Sequence, residues 1–140
     1  MNSTLWMRMH GGTTHFPIAL VIASFAFDLA AGLVRDEARR RDLHAAAFYA
    51  LVLGALGTVG AVVSGVMISG GQLIGDGLLA RHHLFLWPAS ALIVGLAVWR
   101  VRTRRCFTRR ALGLYLTVAA TTAALMTAAG YWGGEMLLGG

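Results

Sequence analysis

Four of the five histidines fall in two short stretches, "HGGTTHFP" and "RHHLFLWP", which supply His10 and His15, then His82 and His83. Each stretch reaches a proline and continues into an apolar run that stops at arginine. Neutral imidazole is the commonest metal ligand and a usual axial ligand of haem iron. Ligation from two sides, one imidazole from each stretch, is the chemistry this pattern suggests. Arg8 and Arg81 stand beside these histidines and have the charge to hold haem propionates by charge-assisted hydrogen bonds. Glu135, after a Gly-Gly step near the chain's end, has the chemistry to orient a histidine or to handle a proton near a quinol. Met7 and Met9, with His10 and His15, form a thioether and imidazole set of the kind that suits Cu(I), but at no fixed copper-loop spacing.

These residues must be positioned by helices in lipid. Of 140 residues, 57 % are hydrophobic and 13 % charged, about half the charged share of a soluble domain. The composition describes an integral membrane protein in one compact domain, residues 1–140. Hydropathy predicts four transmembrane helices, from about Phe16 to Val34, Ala45 to Gly70, Leu84 to Val101 and Ala111 to Trp132, each near the ~20 residues a bilayer needs. The connections are short, so the expected fold class is an all-α four-helix membrane bundle. No secretory signal peptide is expected, because the first fifteen residues lack an apolar core.

The net charge is +6, and all twelve basic residues are arginine. Ten of them lie in "RDEARRRDLH" and "RVRTRRCFTRR", after the first and third spans; only Arg8 and Arg81 lie on the other side. The bias orients the chain, with arginine-rich loops in the cytoplasm and both termini outside, and it argues against nucleic acid as the partner. The expected location is a bacterial inner membrane. A single cysteine, Cys106, excludes an intramolecular disulfide. There is no Gly-rich phosphate loop, no thiolate cluster and no Ser–His–acid set in a usable order.

Within the spans, Gly57, Ala61 and Gly65 recur every four residues, as do Ala120, Ala124 and Ala128. Both series read as close-packing seams between helices. Asp28 is the one acidic residue inside a span, about 10 Å from its cytoplasmic end. Its expected role is structural, through His44, an arginine or a helix-two backbone group. The chain also reads as two hairpins, "HFP…SGG" and "HHLFLWP…WGG", in a parallel internal repeat. The first and third spans then run the same way. His15 and either His82 or His83 reach equal heights, and His83 is preferred because it lies nearer the apolar run.

The segment "HFPIAL", the aspartate in the first span, a histidine opening the third and the closing "GYWGGEMLLGG" resemble the domain of unknown function 2231 family, small four-helix bacterial membrane proteins. The resemblance covers nearly the whole chain and falls on His15, Pro17, Asp28, His82 or His83, Gly133, Gly134 and Glu135. Members often carry a His-Pro step ahead of the first span; here Gly11 follows His10. Related sequences occur joined to Rieske-type iron–sulfur domains, which implies membrane electron transfer.

The expectation is a b-type haem held by His15 and His83, in a subunit that links a periplasmic redox partner to the quinone pool or to another haem. It would be a non-catalytic part of a larger complex. The alternatives are a cofactor-free structural or assembly subunit, and copper handling through the N-terminal methionines and histidines.

Overall fold

In lipid every backbone N–H and C=O must be satisfied within the chain, and an apolar segment does this by forming a helix. The computed structural model describes residues 3–103 and 109–138, with side chains described for 10–103 and 110–136. It contains α1 (Ser3–Leu33), α2 (Glu37–Ile68), α3 (Gly77–Arg102) and α4 (Arg109–Leu138). Among the described residues there is no strand. All four helices are long and apolar enough to cross a membrane, over His10–Leu33, Glu37–Ile68, Gly77–Arg102 and Arg110–Met136.

The helices outrun the predicted spans. α1 begins well before Phe16 and carries Pro17 in its interior. α2 starts inside the arginine-rich stretch, so only residues 34–36 separate it from α1. Hydropathy marks the hydrocarbon depth, whereas the backbone goes on making helical bonds at the interface. Asp36 fixes where α2 starts: its carboxylate accepts from the Arg39 backbone N–H at 3.1 Å, satisfying an orphan donor of the first turn. α2 ends in a Schellman motif. Gly70 turns left-handed at φ 66°, and the Gly71 N–H returns to the Val66 carbonyl at 2.9 Å.

α1 packs most extensively on α2, and α3 on α4; the α1–α4 and α2–α3 contacts are lighter. The bundle is therefore two hairpins side by side, with α1 and α3 on one diagonal. The α1–α2 seam uses the small residues expected of it. A Cβ at Gly54 would stand 3.3 Å from Leu20 Cβ and 3.5 Å from the Pro17 carbonyl, and one at Gly57 would stand 3.4 Å from Pro17 Cβ. Larger residues would pry the hairpin open, so Gly54→Leu should cost about 1–3 kcal/mol, seen as earlier thermal unfolding in detergent. An unchanged transition would mean the seam yields freely.

The alanine series on α4 does not form the predicted seam. Ala120 and Ala124 are exposed and Ala128 is half-buried. α4 instead turns Tyr115, Ala119, Thr122, Met126 and Ala129 inward. Both series have helical spacing, and the inward one can bring the large Tyr115 into the core with Val21, Leu51, Ile93 and Leu96. Many of the remaining large apolar side chains, such as Leu33, Leu56 and Leu84, face outward, as lipid solvation allows.

Candidate functional site

Two polar groupings lie at opposite ends of the bundle. Eighteen residues separate His10 from Asp28 on α1, and eighteen separate His82 from Arg100 on α3. That is five helical turns, so each histidine shares a helix face with the charged residue below it. α1 and α3 run in the same direction on the same diagonal. Their inward faces therefore meet twice, histidines at one end and charges at the other.

At the arginine-rich end Asp28 and Arg100 are both fully buried. The Arg100 guanidinium donates from Nη1 to Asp28 Oδ2 at 2.5 Å and from Nη2 to Oδ1 at 2.9 Å. Nη2 also donates to the His44 carbonyl at 3.0 Å. His44 donates its Nδ1–H to Asp28 Oδ1 at 2.7 Å. The guanidinium lies over the Tyr115 ring, 5.0 Å from its centroid. All four helices join this clasp. Asp28 has the structural role expected of it, with two of the expected partner types at once. Arg100 is corrected: it is no loop charge at the membrane surface but the buried partner of Asp28, because an intramembrane carboxylate needs a counter-charge inside the protein.

At the other end, a cavity of about 380 Å³ opens between the helices, with His10, His15, His82 and His83 in its walls. That size falls within the range of small-molecule and cofactor sites. Ile18, Val62, Val66, Leu86 and Trp87 make much of the surface apolar, and Gly134 leaves space on the α4 side.

Three of the four imidazoles are anchored in the same way. His82 donates its Nδ1–H to the Ala129 carbonyl at 2.8 Å. His83 donates its Nδ1–H to the Ile74 carbonyl at 2.9 Å. His10 Nδ1 lies 3.0 Å from Ser64 Oγ. The Ser64 hydroxyl already gives its proton to the Ala61 carbonyl, so the imidazole is the donor in that pair. In the neutral state each ring then carries its proton on Nδ1 and a lone pair on Nε2. A metal-ligating histidine has this arrangement, the far nitrogen bonded to a carbonyl or another acceptor. Glycines let two of these rings lie against the adjoining helix. A Cβ at Gly65 would stand 3.1 Å from His10 Cε1, and one at Gly133 would stand 3.4 Å from His82 Cε1.

The predicted residues divide as follows. His82 and His83 are buried and His10 is half-buried, while His15 is exposed at the cavity rim. The His15–His83 pairing thus joins an exposed ring to a buried one, whereas His10 and His82 are both withdrawn from solvent and each bonded to the adjoining helix. Arg81 is exposed, with its guanidinium 5.0 Å from the Trp132 ring centroid. Glu135 is half-buried and does not line the cavity; the imidazole protons go to Ser64, Ala129 and Ile74. The side chains of Met7, Arg8 and Met9 lie outside the described residues, as does Cys106. Among the described residues no three histidine, cysteine or acidic side chains are grouped to hold a metal ion. The signal that points to His10 and Arg100 is the shared 18-residue spacing, which hydropathy ignores.

The comparisons with known proteins bear on the whole chain. A family model described as "Predicted membrane protein (DUF2231)" matches residues 7–139. The chain belongs to the DUF2231 family. The match takes in both histidine stretches, both members of the buried ion pair and the Gly-Gly-Glu end. No curated protein and no solved structure matches the chain.

Proposed function

We propose that this DUF2231 protein is a membrane-embedded, b-type haem-binding subunit that transfers electrons or anchors partners within a larger redox complex. The observation that carries this reading is the cavity in which three imidazoles share one tautomer, Nδ1–H held by the protein and Nε2 unprotonated. The residues fit the group. His10 on α1 and His82 on α3 would hold the iron in this reading, because each is seated against a glycine of the adjoining helix in its own hairpin. Haem supplies one-electron chemistry at its iron when bound. Ser64 and the Ala129 carbonyl orient the two rings and would strengthen them as ligands. Gly134 faces open space on the α4 side, where a flat group would have room, and the cavity walls are largely apolar. Arg81 lies on Trp132 outside the cavity lining, and as the exposed cation next to His82 in sequence it would have to turn from that ring to serve propionates. His83 and His15 complete the wall and offer acceptors to a quinol hydroxyl, which makes the quinone pool the electron partner in this reading.

The orientation of the reading rests on arginine. With Arg100 withdrawn into the bundle, the sequence still carries nine arginines in the two stretches after the first and third spans, against Arg8 and Arg81 in the stretches before them. By the positive-inside rule the rich end faces the cytoplasm. In a bacterial inner membrane the cavity and both termini then face the periplasm, where a soluble redox partner can reach the site.

The deciding measurement is a reduced-minus-oxidised absorbance spectrum of protein purified from haem-replete cells. A Soret band with resolved α and β bands supports the reading. A colourless, fully folded preparation that takes up no added haemin overturns it. That result would favour a cofactor-free structural or assembly subunit, for which the same imidazole bonds serve as ties within each hairpin.

A further inference from the structure

The light α2–α3 contact leaves a groove of about 340 Å³ on the outside of the bundle, apart from the histidine cavity. Ala55 and Ala97 are its small residues, where longer side chains would have closed α2 onto α3. Leu56 and Val59 from α2, and Val94 and Val98 from α3, stand exposed along its walls. Arg102 ends it on the arginine-rich side. From Val94 to Arg102 is eight residues of helix, about 12 Å of rise. That depth fits inside a single leaflet, about half of a ~30 Å hydrocarbon core.

Charge identifies the occupant. Arg102 is exposed and makes no ion pair or hydrogen bond among the described residues. Of the acids at this end of α2, Asp36 and Glu37 are engaged with Arg39 and Arg40, and Asp42 makes no ion pair with Arg102. Arg100, two residues earlier on the same helix, is committed to Asp28. A second copy seated here about a two-fold axis along the membrane normal would bring Arg102 to the same height as its own counterpart, and like charges oppose that. A groove one acyl chain deep, with an uncompensated cation at headgroup level, suits an anionic phospholipid.

We propose that the α2–α3 groove is a binding site for one anionic phospholipid, with an acyl chain along Ala55 and Ala97 and its phosphate on Arg102. The site is independent of the histidine cavity and stands whether or not haem binds there.

The test uses the full chain in neutral detergent, titrated with dioleoyl phosphatidylglycerol or dioleoyl phosphatidylcholine and followed by native mass spectrometry. One phosphatidylglycerol should be retained, preferred about fivefold over phosphatidylcholine, the worth of one cation near an anionic headgroup. Arg102→Gln should bring the ratio close to one, and Arg102→Lys should keep it. Val98→Phe, on the exposed groove wall, should block retention of both lipids without touching the core. Equal binding of the two lipids overturns the proposal, as does a preference that survives Arg102→Gln. A dimer that Val98→Phe dissociates, with no lipid preference, overturns it too and assigns the groove to a second copy.

Discussion

Arg100→Met should lower the stability of the bundle by about 3–5 kcal/mol, the cost of leaving a buried charge without its partner. The magnitude follows from the surroundings of Asp28. It is fully buried, accepts both guanidinium bonds, and has His44 and Tyr115 as further partners. Arg100→Met strands the carboxylate; Asp28→Leu strands the guanidinium over Tyr115. Each single variant should therefore be far less stable than the double variant Asp28→Leu/Arg100→Met, in which both charges leave together. Thermal unfolding in detergent, followed by circular dichroism, reads this directly. Additive losses in the double variant would show that the two residues do not act as a pair. The absorbance spectrum of any bound cofactor should stay as it is in Asp28→Asn, because the clasp and the cavity lie at opposite ends of the bundle.

The second large effect belongs to the cavity. If the proposed haem site is right, His10→Ala and His82→Ala should each abolish haem retention, since either change removes a proposed ligand while the four apolar spans still insert. His15→Ala should keep the haem spectrum, because that ring sits exposed at the rim. Ser64→Ala keeps the ligand but removes its acceptor, and should weaken retention by about 10- to 100-fold. Spectra recorded during haemin titration of each purified variant separate these outcomes. Retention by His82→Ala together with loss in His15→Ala would return the axial role to the pairing first suggested by the "HFP" and "HHLFLWP" openings. Loss in none of them would remove the histidines from the site.

Much of the architecture was legible before any coordinates. Four apolar runs of membrane length, the arginines between them and the two histidine stretches follow from composition and hydropathy, because the bilayer imposes length and polarity on any segment that crosses it. The role of Asp28 was legible too, since a carboxylate in a span has few stable alternatives to pairing. The helix starts were not. "MRMHGGTTH" and "RDEARRR" look like loops on a hydropathy scale, yet α1 and α2 run into both, and His10 became interior only because α1 continues above Pro17.

Which face of each helix turns inward was decided only by the tertiary structure. A soluble helix announces its inner face by its apolar stripe. A helix in lipid is apolar toward the core and toward the bilayer alike, so its rotation is set by packing partners. That is why Ala120 and Ala124 point outward while Ala119 and Ala129 point in, and why His82 and His10 came inside while His15 stayed at the rim. Sequence determined that four helices cross, and which residues with useful chemistry they carry. Only the diagonal approach of α1 and α3 decided that Asp28 meets Arg100 at one end and that the imidazoles share a cavity at the other. Those pairings depend on helix rotation, and in an apolar solvent rotation leaves little trace in the pattern of hydrophobic residues.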